Sequence, residues 1–404
     1  MPYEASDVLS QIRKDAAQAR ALLNEQRGAL ELAAELYQRA CERLADWSEI
    51  VRSKQGNKYR LYANPLVNSH SVALDYPSSP SLPAVGYCVV ATDSSFIEPD
   101  KHRGAFCHLI NVGRVMIKYG DPQAAVLEAR PFHRPDYLND IEERYVGFGR
   151  ALQAECTAKE IEHLLDLAVM HRADIAFFDG PLNQTVLLLE NAPVISRRVK
   201  ENLKVYYEYL RAFETVLGGS GIPVVGYNSR TNSDLVMRSL RKAVEAGLFS
   251  AAVRNDPRVP MFSYLDDGDL FSYVLAPGVR SITFQPWEAK KSADKAADES
   301  EGISSGLHEY EVDIRVFYLN VGGSAERVDV PVWCLPQLDR IHQLLLSQCT
   351  LGDDFPAALS LADKQAVLTR GEDRETYYTL LEMEDLLRPV SYKARSKREA
   401  GRNI

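Results

Sequence analysis

One carboxylate inside an apolar run constrains this chain more than any other feature of its sequence. Residues 84–96 (AVGYCVVATDSSF) are almost continuously apolar up to Asp93. Such a run predicts a strand that is covered on both faces of a sheet. An isolated ionised carboxylate there costs several kcal/mol unless it is paired or binds a metal. Asp93 is therefore a candidate functional residue; capping the turn at Ser94 and Ser95 is the alternative role.

A second carboxylate, Asp179, ends another apolar run. Residues 174–178 (DIAFF) predict a short buried strand, and Gly180 and Pro181 follow Asp179 directly. Asp-Gly-Pro is a common strand-ending turn, which would explain these residues without any function. Loops at the carboxyl ends of parallel strands are also where α/β proteins hold ligands. Asp179 is therefore a second candidate.

The order of the predicted elements indicates the fold. The strand with Asp93 is followed by one or two antiparallel strands at 105–119, a helix at 138–172 and the strand that ends at Asp179. Sheets of the ribonuclease H type have this order, and their first and later strands lie side by side. We therefore predict an α/β fold with a ribonuclease-H-like mixed sheet flanked by helices. Carboxylates on its neighbouring strands would share a divalent ion, Mg²⁺ or Mn²⁺, because hard cations take carboxylate oxygens.

The helix between these strands offers candidates for a third carboxylate ligand. Its buried stripe includes Ile161 and Leu164, and Glu160 lies beside that stripe through its i+4 neighbour. Glu162 instead lines up with polar residues on the solvent face. We expect Glu160 to be the third ligand, with Glu155 and Glu162 as alternatives.

The rest of the pattern divides the chain into regions. Apolar residues at helical spacing over 6–52 predict one long or once-broken N-terminal helix, and further helices are predicted at 336–348 and 356–387. The polar, low-complexity stretch 288–306 predicts a flexible insertion. The predicted organisation is a helical region (1–62), a linker (63–83), a main domain with the insertion (84–388) and a basic tail (389–404).

Composition excludes several classes of protein. Hydrophobic residues make up 46% and charged residues 25%, as in folded globular proteins. No apolar run approaches the roughly 20 residues of a membrane helix, and the N-terminus has no signal core, so we expect a cytoplasmic protein without membrane contact. The six cysteines are scattered, which disfavours structural zinc and a disulfide framework. No G-x-x-x-x-G-K-[ST] loop is present, so nucleotide hydrolysis is not expected.

Any contact with nucleic acid must be local. The chain has 47 basic and 56 acidic residues and a net charge of −9, unlike a histone-like binder. Candidate phosphate contacts are Arg197, Arg198 and Lys200 on one predicted helix. A plain solvated helix face is the alternative interpretation of these charges.

Several segments occur in an order and spacing shared with a known family. They begin with VVATDSSF, continue through the helix before IAFFDGPL and the strand PVVGYNSR, and reach FPAALSLADKQAVLTRGEDR. Together they resemble the NurA family of DNA-repair nucleases over roughly residues 85–380. On this resemblance the main domain is a NurA-like nuclease domain.

The resemblance implies a function and a set of partners. It implies a ribonuclease-H-like nuclease, usually a homodimer, that degrades DNA ends in the 5′ to 3′ direction and cuts single strands with Mn²⁺ or Mg²⁺. It also implies work with the hexameric ATPase HerA in double-strand-break end resection. Asp93 matches the first metal ligand of the family, Asp179 the aspartate of its DG-x-L motif, and Glu160 its helix acid by approximate spacing.

Two positions depart from the family pattern. Asp363 stands where the family commonly has a histidine in its terminal helix motif, and an aspartate can still bind a divalent ion through oxygen. A lysine common after the strand PVVGY is replaced, and Arg230 is the nearby cation that would serve instead. These changes leave two alternatives open: a catalytically weakened scaffold subunit that binds DNA and the ATPase, or another ribonuclease-H-like nuclease.

Overall fold

The computed structural model describes most of the chain. The described residues are 5–53, 62–74, 86–100, 102–120, 125–135, 148–184, 197–216, 221–287, 312–369 and 371–387. The predicted insertion (288–306) and basic tail (389–404) lie outside them. Within the described segments, no helix combines the length and apolarity needed to cross a membrane.

Within the described residues, helices precede the first strand, follow the last strand and form several connections between strands. In chain order they are α1 (Ala5–Cys41), α2 (Leu44–Ser53), α3 (Phe148–His171), α4 (Arg197–Thr215), α5 (Leu235–Ala246), α6 (Ala251–Arg254), α7 (Asp267–Val274), α8 (Leu338–Leu351), α9 (Ala357–Ala366) and α10 (Glu372–Met383). Short 3₁₀ helices cover Val259–Tyr264 and Val332–Gln337. The once-broken N-terminal helix is confirmed, with its break between Cys41 and Leu44.

The strands are distributed along the whole chain. They are β1 (Tyr62–Pro65), β2 (Val72–Ala73), β3 (Cys88–Ile97), β4 (Cys107–Lys118), β5 (Ala125–Pro135), β6 (Ile175–Asp179), β7 (Val224–Asn228), β8 (Val279–Arg280), β9 (Phe284–Trp287), β10 (Ile314–Val321) and β11 (Ser324–Pro331). Two of them, β1 and β2, lie in the stretch predicted as a linker, where Ala63 and Asn64 are buried.

The chain divides into two compact units that do not follow the predicted domain boundaries. The first unit comprises 1–76, 228–297 and 314–329, and the second comprises 77–227, 298–313 and 330–404. Each unit is therefore assembled from separate segments of the sequence. The first unit takes in segments that the sequence assigned to the main domain.

The second unit contains the predicted mixed sheet. Its strand order is β7-β6-β3-β4-β5. The neighbours β3 and β4, and β4 and β5, are antiparallel, whereas β3 and β6, and β6 and β7, are parallel. An antiparallel meander followed by two parallel strands on the other side of the first strand is the ribonuclease H arrangement. The predicted fold class is confirmed.

Helices cover the two faces of β3. The hydroxyl of Thr92 donates to the backbone oxygen of Glu160 on α3 at 3.0 Å. The hydroxyl of Ser95 donates to the backbone oxygen of Ala366 at the end of α9. Because side chains alternate along a strand, α3 and α9 lie on opposite faces of β3.

The first unit has a core of its own. The α1–α2 pair contributes Trp47, which is fully buried, and its indole nitrogen donates to the Ser239 hydroxyl at 3.0 Å. Asp267 is also fully buried and accepts backbone hydrogen bonds from Val236 and Met237 at 3.0 and 2.9 Å, which satisfies the start of α5. These contacts join sequence segments that are far apart.

The C-terminal helical segment differs from the prediction. The sequence predicted one helix over 356–387, whereas α9 ends at Ala366 and α10 begins at Glu372. Thr369 and Asp373 exchange hydrogen bonds at this break, since the amide of each is bound by the side chain of the other at 2.7 and 3.2 Å. This pair stabilises the connection between the two helices, whereas Gly371, the residue before α10, makes no side-chain cap.

Candidate active site

Asp93 lies in the middle of β3, opposite Gly113 of β4. The amide of Ser94 donates to one of its carboxylate oxygens at 2.8 Å. Burial of the carboxylate, together with the charges of Asp179 and Asp363, raises the pKa of Asp93 to about 7, although the Ser94 amide opposes this shift. Asp93 is therefore an acid that is costly to ionise where it stands.

Asp179 ends the neighbouring parallel strand, β6, as the sequence predicted. Thr92 of β3 is paired with Phe178 of β6. Because the two strands are parallel, the next residue of each, Asp93 and Asp179, lies at the same level of the sheet. The turn after it depends on Gly180, whose φ of 106° is strained for any residue with a side chain. Removal of the carboxylate from water and the charge of Asp363 raise the pKa of Asp179 to about 6.

Asp363 is brought to the site by the close packing of α9 on the sheet. A Cβ atom on Gly113 would overlap the Ala362 carbonyl oxygen and lie 2.6 Å from the Ala366 amide nitrogen, so only glycine allows this approach. The side chain of Asn111 donates to the Ala366 carbonyl at 2.9 Å and fixes the end of the helix. Asp363 then hydrogen-bonds to the Asp93 carboxyl.

Glu160 reaches the site from α3 and is only 6% exposed. Its carboxylate accepts a short hydrogen bond from the Ser94 hydroxyl. Burial and the charges of Asp93 and Asp179 raise its pKa well above the usual range, against the effect of Ser94. Glu160 is thus close enough to Asp93 and Asp179 for their charges to oppose its ionisation.

The four carboxylates form an all-oxygen donor set. Burial, and to a lesser extent the charges of the neighbouring acids, raise the pKa of three of them, and a bound cation would favour their charged forms. Oxygen donors of this kind fit Mg²⁺ or Mn²⁺. Among the described residues, no three His, Cys, Asp or Glu side chains are already grouped as metal ligands. The reason is that these contacts lie on different faces of β3: Asp363 bonds to Asp93 on one face, and Glu160 bonds to Ser94 on the other.

The two alternative helix acids have other partners. Glu155 forms ion pairs with His108, Arg134 and Arg198, the last at 2.6 Å. Burial opposes its ionisation, but the neighbouring His108 and the hydrogen bond from Arg198 lower its pKa to about 2. Glu162 pairs with Lys159 at 2.7 Å on the solvent side of α3. Neither residue contributes to the carboxylate cluster.

The candidate DNA-binding residues are dispersed. Arg197 pairs with Glu201 at 2.7 Å, and Arg198 with Glu155, while Lys200 lies half-buried on the same helix, α4. Arg230 belongs to the first unit, where its side chain is exposed and its amide donates to Glu326 at 2.7 Å.

Two residues that organise the site were not singled out by the sequence. Gly113 lies inside the run NVGRVM, and a glycine within a strand is a known sign of close backbone approach. That signal was available. Ser94 gave no comparable signal, because a serine after an aspartate is common in turns.

The family comparison decides how these observations are to be understood. A sequence model of the NurA domain matches residues 88–368. The chain belongs to the NurA family. The match contains Asp93, Glu160, Asp179 and Asp363, so the carboxylate cluster lies within the family domain. No curated protein matches the chain.

Solved structures give matches across most of the chain. The NurA nuclease from Sulfolobus solfataricus is 13% identical, with a TM-score of 0.43, over 86% of this chain and 93% of that chain. A NurA structure bound to dAMP and manganese is 12% identical, with a TM-score of 0.39, over 93% of this chain and 98% of that one. The catalytic domain of human endonuclease V is 13% identical, with a TM-score of 0.31, over 78% and 92%.

Proposed function

We propose that this NurA-family chain is a divalent-metal-dependent deoxyribonuclease. The observation that carries the proposal is the cluster of Asp93, Glu160, Asp179 and Asp363 within the family domain, with the ionisation of three of its members opposed by burial and repulsion. Perturbed carboxylates of this kind are typical of catalytic and metal-binding sites. Family membership supports a nuclease, and the oxygen donors support Mn²⁺ or Mg²⁺ as cofactor.

The residues of the site have distinct roles in this proposal. A bound divalent ion would lower the pKa of a water molecule and neutralise charge on the scissile phosphate. Asp93, Asp179 and Asp363 would hold the ion through carboxylate oxygens, and Asp93 and Asp179 would lose protons on binding it, because burial and neighbouring charges raise their pKa. Glu160 would supply a carboxylate from the helix. No side-chain nucleophile is required.

The finer features of the activity follow from the family resemblance. We propose 5′ to 3′ degradation of DNA ends, cutting of single strands, a homodimeric state and cooperation with a HerA-type hexameric ATPase in double-strand-break end resection. Digestion of oligonucleotides labelled at either end tests the polarity. Co-purification with a HerA-type ATPase, with light scattering of the chain alone, tests the two assemblies.

The nuclease assignment is tested by removing one charge from the cluster. We expect Asp93→Asn to lower Mn²⁺-dependent cleavage of a labelled single-stranded oligonucleotide by roughly 100- to 1,000-fold, because metal-based charge stabilisation is worth several kcal/mol. Asp166→Asn, which neutralises an exposed aspartate of α3, is the matched control and retains cleavage. Undiminished cleavage by Asp93→Asn, or no cleavage by the unmodified chain with Mn²⁺, contradicts the proposal; the second outcome favours a scaffold subunit.

A further inference from the structure

Ser94 contacts two of the candidate ligands at once. Its backbone amide donates to the Asp93 carboxylate at 2.8 Å, and its side-chain hydroxyl donates to the Glu160 carboxylate. Asp93 belongs to strand β3, and Glu160 belongs to helix α3, which covers one face of that strand. One residue therefore sets the position of a carboxylate on each element.

The Ser94 hydroxyl has one carboxyl group as its hydrogen-bond acceptor, that of Glu160. Cys156, one helical turn before Glu160, hydrogen-bonds to the same hydroxyl. Burial raises the pKa of that thiol far above neutrality, so it stays uncharged and does not compete as a ligand. The carboxyl group bound by the Ser94 hydroxyl is therefore that of Glu160.

Removing this hydroxyl should leave the helix in place. Thr92 independently binds the backbone oxygen of Glu160, at 3.0 Å, so α3 keeps an anchor on β3 without Ser94. What Ser94 adds is the orientation of the Glu160 carboxylate. Its role is thus separable from the packing of the two elements.

We propose that Ser94 is a positioning residue that orients Glu160 for divalent-cation binding. This inference rests on the proposed function, because Glu160 is taken there as a metal ligand. Hydrogen-bond partners of metal ligands typically change metal affinity 10- to 100-fold when removed. Ser94 is not itself a catalytic residue, since it acts through Glu160.

The test is equilibrium binding of Mn²⁺ to the full chain by titration calorimetry, with the thermal midpoint of each metal-free variant measured alongside. We expect Ser94→Ala to weaken Mn²⁺ binding about 10- to 100-fold in a chain that still unfolds cooperatively, and Ser94→Thr, which keeps the hydroxyl, to restore most of the affinity. Ser263→Ala removes an exposed hydroxyl of the first unit, whose acceptor is the Pro260 carbonyl oxygen at 2.8 Å, and should change the affinity much less.

A double-mutant cycle separates the possible failures. If Ser94 acts through Glu160, Ser94→Ala adds no further loss of Mn²⁺ affinity in a Glu160→Gln background. Additive losses, an unchanged affinity in Ser94→Ala, or an equal loss in Ser263→Ala overturn the inference while leaving the nuclease proposal intact. An unmodified chain that binds no Mn²⁺ refutes the proposed function instead.

Discussion

At the scale of single residues, Asp93 differs from a surface aspartate in its raised pKa. Burial and neighbouring charges raise its pKa from 3.8 to about 7, and burial with the charge of Asp363 raises that of Asp179 to about 6. At a pH between 3.8, the ordinary pKa of an aspartate, and these raised values, the folded chain binds more protons than the unfolded chain. The free energy of unfolding therefore falls as pH rises through about 4 to 7, so this site costs stability at neutral and alkaline pH.

Neutralising Asp93 should recover that stability. We expect Asp93→Asn to raise the free energy of unfolding of the metal-free protein by roughly 1–3 kcal/mol at pH 8, and by much less at pH 5, where the native aspartate is already protonated. Thermal denaturation in EDTA at both pH values measures this. The exposed Asp166→Asn substitution provides the baseline. A lower midpoint for Asp93→Asn at pH 8 would show that the charge is not strained in the fold.

The cost of burying a charge also explains which site residues could be predicted from the sequence. A charge inside an apolar strand, as at Asp93, is conspicuous because its burial is costly. Glu160 is predicted because helical periodicity places it beside a buried stripe. Ser94 was missed, because a hydroxyl carries no such cost and its importance lies in two contacts made only after β3 and α3 have packed.

At the scale of elements, Gly113 controls how closely α9 approaches the sheet. Replacing it by alanine would drive a Cβ atom into the backbone of α9 and push Asp363 away from Asp93. We expect Gly113→Ala to cost roughly 1–3 kcal/mol of stability and to weaken Mn²⁺ binding. Denaturant unfolding and calorimetry measure the two effects. Gly149→Ala is the matched control, because its Cβ would meet only Glu98, at 3.7 Å; equal losses in both variants would refute this role for Gly113.

Element boundaries show where local pattern stops being informative. The strands β3, β6 and β7 were predicted well, because short apolar runs mark buried strands and Gly180 and Asn228 mark the ends of β6 and β7. The break between α9 and α10 was missed, although Gly371, which disfavours a helix interior, lies within it. The reciprocal bonds between Thr369 and Asp373 stabilise this connection, since side-chain bonds to backbone amides compete with helix continuation.

At the scale of the whole molecule, the division into two units was beyond the reach of the sequence. Each unit combines distant segments, and Trp47 meets Ser239 across nearly two hundred positions. The local hydrophobic pattern of the sequence does not indicate which distant segments will pair. Composition did show that the chain as a whole is acidic, at −9, so attraction to DNA must come from particular cations rather than from overall charge.

Arg230 gives this charge argument a measurable form. It is an exposed cation of the first unit, held in a turn at φ 49° by the bond from its amide to Glu326, and we propose that it contacts a DNA phosphate. Each phosphate contact to a single strand adds about 0.7 to the slope of log affinity against log salt. We therefore expect Arg230→Gln to reduce that slope by about 0.7 for a labelled oligonucleotide in EDTA, measured by fluorescence anisotropy. Arg13→Gln removes an exposed arginine of α1 and should leave the slope unchanged. An equal slope in the Arg230 variant and the native chain would mean that the guanidinium at this turn releases no counterion on binding.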